Sequence, residues 1–158
     1  MAKKTDKTNA MRLLDKHHIA YNHFTYDPSL LNAVDAAYAL EQNPSSLFKT
    51  LVTQGKSREH YVFMVPAEQE LDLKKAARTV GEKSIDMLPQ KDLFPLTGYI
   101  HGGCSPLGMK KSFKTFIDHS ALHCSSIFFS AGHVGQQLEL TLAALQTVID
   151  VTPADVTK

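Results

Sequence analysis

The sequence predicts an α+β fold in which helices surround a curled, mixed β-sheet. Three observations point there. Two apolar runs, Phe48–Thr53 and Tyr61–Val65, flank the polar turn Gln54-Gly55-Lys56-Ser57 and read as a hairpin. Helical periodicity occurs only in short, scattered windows. From Thr97 onward, short apolar runs are punctuated by glycines. Mixed short strands with scattered helices belong to the α+β class.

The elements follow in order. Residues 1–7 read as a solvated tail. Residues 9–17 form a short helix, with Met11, Leu14 and His18 on one face and Thr8 or Asn9 as its cap. Tyr21 to Tyr26 is a strand rich in aromatics and threonine, ended by Asp27-Pro28-Ser29. Asn32 to Glu41 is a helix capped by Asn32, with Val34, Ala37 and Leu40 inward, and Asn43-Pro44-Ser45 breaks it. After the hairpin, Asp72 opens a helix with Leu73, Ala76, Ala77 and Val80 inward, and Gly81 is its left-handed stop. Met87 to Pro95 holds a helical turn between two prolines. Gly98–His101, Thr115–Asp118, Ser126–Ser130 and Gln137–Leu140 are candidate strands. Thr141 caps a last helix carrying Leu142, Leu145 and Val148, and Val151 to Lys158 reads as loosely held.

Composition bounds the function. The chain has 158 residues and is 43% hydrophobic, enough for one domain with one ordinary core. A chain of this size buries roughly 70% of its unfolded surface and needs no disulfide or structural metal. A net charge of +1, from 17 basic and 16 acidic residues, excludes a globally basic nucleic-acid coat but permits a local patch that grips one RNA end. Cys104 and Cys124 are isolated and read as reduced cytosolic thiols. The basic N-terminus has no apolar run behind it, so no signal peptide is expected, and no stretch approaches the roughly 20 apolar residues of a membrane span.

The densest unusual segment is Gly102-Gly103-Cys104-Ser105-Pro106-Leu107-Gly108. Paired glycines permit backbone that other residues find strained, and successive N–H groups in such a turn can hold an anion or a developing oxyanion. A plain turn between strands is the other account. Lys49, opening an apolar strand, either places an ammonium in a pocket or snorkels to water. A second loop, Ser130-Ala131-Gly132-His133-Val134-Gly135, either walls the same cleft or only joins strands. Lys110, Lys111 and Lys114 could meet phosphates or protect a strand edge. Lys74, Lys75 and Arg78 read as a solvated helix face. The eight histidines show no H-x-x-x-H or H-E-x-x-H spacing, so no metal or cofactor is expected. Cys104 is either a nucleophile in a glycine loop or a small apolar filler. No G-x-S-x-G, Walker or Rossmann motif is present.

Together these segments resemble the YbaK family, the EbsC-like Cys-tRNA(Pro)/Cys-tRNA(Cys) deacylases. The matching residues are Phe48-Lys49-Thr50-Leu51, Gln69-Glu70-Leu71-Asp72-Leu73-Lys74-Lys75 and Thr97 through Gly108. Lys110-Lys111, Phe116-Ile117-Asp118, Ser130-Ala131-Gly132, Gly135 and Leu138-Glu139-Leu140 follow in family order. The resemblance spans nearly the whole chain after the tail. It implies a mixed, barrel-like domain related to the editing domain of prolyl-tRNA synthetases. The activity it implies is hydrolysis of the ester between an amino acid and the tRNA 3′ end. The family lysine maps to Lys49 and the G-G-x-S-P loop to Gly102 through Pro106. Gln137 stands where many members carry an acid, and Ala131 where they carry glycine.

The expected site therefore uses no protein nucleophile and no metal. Lys49 neutralises the terminal phosphate or orients the 3′ adenosine. Backbone N–H groups around Gly102, Gly103 and Cys104 stabilise the ester oxygen, and Ser105 positions the carbonyl or ribose. Thr50, Cys104, Pro106, Ser130, Gly132 and Gly135 contact substrate. The substrate's own thiol or the vicinal ribose hydroxyl supplies the attack. The expected partners are the 3′ end of aminoacyl-tRNA and prolyl-tRNA synthetase, in the cytoplasm. Two other readings stay open: a module that binds this end without cleaving it, and a sibling enzyme that edits Ala-tRNA(Pro).

Overall fold

The computed structural model describes residues 7–29 and 33–158, so most of the expected tail and the Asn32 cap lie outside the described residues. Helix α1 (Asn9–Lys16) starts where Thr8 accepts a hydrogen bond from the Met11 amide at 3.3 Å, and it buries Ala10, Met11 and Leu14. Strand β1 (Asn22–Thr25) and helix α2 (Ala33–Ala39) follow, α2 burying Ala36 and Ala37. The expected hairpin is present. β2 (Phe48–Gly55) pairs antiparallel with β3 (His60–Pro66) from Phe48↔Pro66 to Gln54↔His60. Inside it the fully buried Thr53 donates its hydroxyl to Tyr61 O at 2.9 Å, which removes the cost of a buried polar group.

Helix α3 (Leu73–Val80) is capped as its sequence requires. The Asp72 carboxylate accepts from the amides of Lys74 and Lys75 at 2.9 and 3.1 Å, and Gly81 closes the helix at φ +77°. Strand β4 (Ile85–Met87) was not expected; three residue pairs attach it to β2. Helix α4 (Gln90–Thr97) runs on past Pro95 and ends at Gly98, φ +85°. The expected strand Gly98–His101 does not form, because this left-handed stop turns the chain into a loop instead.

Beyond the loop come β5 (Lys114–Asp118), a 3-10 turn (His119–His123), β6 (Ile127–Ser130) and β7 (Gln136–Leu140). Helix α5 (Leu142–Val148), capped by Thr141, leads to β8 (Val151–Ala154). The C-terminal segment is held, not loose. β8 pairs parallel with β5, Val151 and Val156 are buried, Thr157 bridges Leu71, and the Lys158 amide donates to Glu70 O at 3.1 Å. Valines that fill the core fix this end despite its polar neighbours.

The strands form a five-stranded sheet in the order β4-β2-β3-β5-β8 and a three-stranded sheet in the order β1-β7-β6. They meet where Leu47 bridges Phe128 and the Phe128 amide donates to Ser46 O at 2.9 Å. Neither sheet closes on itself, so the fold is mixed α+β with two joined open sheets. The main core packs Leu14, Phe48, Met64, Ile117, Ile127, Phe129, Leu138 and Leu145. Each such side chain contributes roughly 1.5–3 kcal/mol on burial. A second cluster, Phe63, Val65, Leu71, Ala76 and Ala77, lies under α3. Among the described residues, no helix is long and apolar enough to cross a membrane.

Candidate active site

A cleft of about 440 Å³ opens where the start of β2, the segment after β3, the first glycine loop and the β6–β7 sheet meet. Of the residues expected at the site, Lys49, Thr50, Gly102, Cys104 and Ser130 line it, and so does Gln137. β2 is anchored there by Phe48, which is buried in the core, so the neighbouring lysine is held at the rim. Lys49 Nζ lies 3.5 Å from Ala67 O. Partial burial pulls its pKa below the usual lysine value, and the Glu70 carboxylate opposes the shift.

Two buried atoms lack hydrogen-bond partners here: Thr50 Oγ1 and Gln137 Oε1. A buried polar atom left unpaired costs about 1–3 kcal/mol, and Gln42 and Ser120 carry such atoms away from the cleft. Thr50 and Gln137 line the cleft, where a ligand could supply the missing partners. Cys104 also reaches the cleft, but burial pushes its thiol up to about 12. A neutral thiol is a weak nucleophile.

The remaining expected residues sit behind the wall. The Gly103 amide donates to Ile100 O at 3.0 Å, so this N–H is committed to the turn. A methyl group added at Gly103 would lie 2.9 Å from the Val134 nitrogen; the residue is glycine because the two loops touch there. Ser105 is fully buried and accepts from the Leu107 amide at 3.3 Å, while Pro106 is buried beside it. Neither lines the cleft. Gly132 and Gly135 adopt φ +98° and +88° and also lie off the cleft. Gly132 donates its amide to Ser130 Oγ at 3.1 Å, and Gly135 O accepts from the Tyr26 amide at 2.8 Å.

Tyr99 explains Gly108 and Gly132. Its hydroxyl donates to Leu107 O at 2.6 Å. Added methyl groups at Gly108 and Gly132 would fall 2.9 and 2.8 Å from its side chain. One buried ring thus clamps both glycine loops. The sequence reading missed this, and it missed Tyr26, Glu68 and His101 on the cleft wall. No local motif marks Tyr26, and Tyr99 lies in the matching stretch Thr97 through Gly108 without an assigned role; Gln69-Glu70, just before α3, was the one visible signal on that side.

Asp118, His119 and Asp155 bring their ligand atoms within 4.8 Å of one another. Asp118 already accepts from the amides of Ser120 at 3.2 Å and Val156 at 3.3 Å, and Lys75 pairs with Asp155 at 3.1 Å. The group therefore pins the C-terminus.

Residues 27–148, which carry the cleft lining except Tyr26, match the model of the aminoacyl-tRNA editing domain. The chain belongs to this family. It is 43% identical over 161 residues to an Enterococcus faecalis protein (strain ATCC 700802 / V583) named "Putative Cys-tRNA(Pro)/Cys-tRNA(Cys) deacylase EbsC". That match covers 99% of this chain and 98% of the relative. Solved structures share the editing-domain fold. One described as "a putative trans-editing enzyme for prolyl tRNA synthetase" superposes with a TM-score of 0.86 at 23% identity, covering 95% of both chains. Another, "hypothetical protein APE2540", gives 0.85 at 18% identity, covering 96% of this chain and 100% of its own.

Proposed function

We propose that this editing domain hydrolyses the ester linking a mischarged amino acid to the tRNA 3′ end, with Cys-tRNA(Pro) as substrate and Cys-tRNA(Cys) as a second one. The observation that carries the reading is the cleft itself. It joins a partly buried lysine to two unpartnered buried oxygens, and its one cysteine is held neutral. The near full-length relationship to a protein named for this activity supports it. The reaction belongs in the cytoplasm, with prolyl-tRNA synthetase as the partner that selects the tRNA.

Lys49 faces the terminal phosphate or ribose as a cation. Gln137 and Thr50 complete their hydrogen bonds on the aminoacyl group, and Gly102 and Cys104 form the wall against the ester. The substrate thiolate attacks its own carbonyl carbon. The bond from that carbon to the ribose oxygen breaks, the ribose oxygen takes a proton from water, and a cyclic thiolactone leaves, which water later opens to cysteine. Ser105, Gly103 and Pro106 hold the loop in shape, and Gly132 and Gly135 do the same for its neighbour.

A cleft of about 440 Å³ does not exclude serine or alanine by size. One group more or less in a pocket discriminates by only about 1–3 kcal/mol. Reactivity discriminates better, since a thiol ionises near neutral pH and a serine hydroxyl does not. The test is a deacylation panel of Cys-, Ala-, Ser- and S-methylcysteinyl-tRNA(Pro). Cys-tRNA should be cleaved much faster than the rest. Equal rates for cysteinyl and S-methylcysteinyl esters would replace thiol attack with ribose-hydroxyl or water attack. Ala-tRNA(Pro) as the preferred substrate would reassign the enzyme, and binding without release of any amino acid would make it a binding module.

A further inference from the structure

Of the eight phenylalanines, Phe94 alone is exposed, at 55%. A single exposed ring is ordinary. Its company is not. Phe94 sits on α4 next to Leu93, which lines the cleft. Lys110 Nζ lies over its ring, 5.3 Å from the centroid. The lysine is placed by its own amide, which donates to Thr97 O at 3.0 Å. Gly98 makes room for the stem, because a methyl group there would lie 3.3 Å from Lys110 Cγ. On the loop that follows, His101 lines the cleft and is exposed, and Ile100 beside it is 55% exposed. Lys91 and Lys111 are exposed on the same two segments.

A flat apolar ring with a cation against it, one residue along α4 from the cleft-lining Leu93, matches the way proteins hold single-stranded nucleic acid. An unpaired base stacks on the ring and the ammonium meets a phosphate. We infer that the Phe94–Lys110 pair is a platform for the unpaired 3′ strand of RNA, taking the nucleotide that precedes the terminal adenosine. This rests on the cleft accepting that adenosine. Lys91, Lys110 and Lys111 outnumber Asp92, the one acid on these two segments, and Leu93 and His101 on the same segments line the cleft.

The probe is an uncharged, fluorescein-labelled oligoribonucleotide ending in CCA, whose binding is read by anisotropy and so does not depend on hydrolysis. Phe94→Ala should weaken binding roughly ten- to hundredfold, the loss of one base stack. Phe94→Trp should restore it, and Phe94→Leu should not. Lys110→Gln should lower the steepness of the salt dependence by about one. In deacylation assays, Phe94→Ala should raise KM more for cysteinyl-tRNA than for cysteinyl-adenosine, which ends at the nucleoside. Binding by Phe94→Ala equal to that of the unaltered protein overturns the inference. So does Phe94→Leu binding as well as Phe94→Trp, or an effect of Phe94→Ala seen only when prolyl-tRNA synthetase is added, which would make the face a protein contact. Failure of the protein to cleave any charged tRNA, with the binding pattern intact, would instead remove the hydrolytic reading and leave the platform standing.

Discussion

Lys49 is the residue on which activity and stability should part. Burial lowers its pKa, so the unfolded chain holds the proton more tightly than the folded one. A folded state that binds fewer protons gains stability as pH rises through the lowered pKa towards the unfolded value of about 10.4. The ammonium therefore opposes folding at neutral pH. Lys49→Met should lose most deacylation while melting at or above the temperature of the unaltered protein at pH 7, and the difference should shrink by pH 10. A variant that melts well below it would show that the ammonium stabilises the fold. The identity of this lysine was legible in the sequence, as a charge placed among Phe48, Leu51 and Val52. Gln137 and Thr50 were legible only as site neighbours. That their oxygens are buried and unpaired is a fact of the tertiary structure, which brings β2 and β7, strands far apart in the chain, to one cleft.

At the scale of elements, the two glycine loops act as one unit around Tyr99. Both Gly108 and Gly132 have positive φ and face its ring. Gly132→Ala should destabilise the protein by about 1–3 kcal/mol, through a strained backbone and a collision with Tyr99. The measurement is the midpoint of urea unfolding, and an unchanged midpoint would show that the loops are held some other way. The sequence marked both loops but not the ring between them, because Tyr99 looks like any strand aromatic until Gly98 ends α4. Thr8, Asp72, Gly81 and Thr141 all act as their side chains or backbone predict, whereas Gly98, an equally local stop, reads as the start of a strand. β4 and β8 were not readable. Three residues at a sheet edge and a parallel strand carry no local signal, since their partners lie far along the chain.

For the whole molecule, charge sets how RNA is held. A net charge of +1 leaves few cations to meet phosphates. Binding of intact tRNA by the protein alone should be weak, with a log–log salt slope of roughly −1.5 to −2, as for two or three phosphate contacts on an unpaired strand. Titration between low and physiological salt checks this. A slope several times steeper would mean that the RNA body is gripped as well as its end. The sequence by itself determined the α+β class, the hairpin, most helix caps and the family, and it singled out a lysine that lines the cleft. Each rests on periodicity, on a side chain acting on its own neighbours, or on a motif carried in one stretch of chain. The tertiary structure decided which residues of the glycine loops line the cleft and which face each other. It also decided that the last eight residues are pinned and that the strands make two open sheets. Those outcomes depend on contacts between segments distant in the chain, where the space left by Tyr99, Val134 and Val156 fixes what each residue can do.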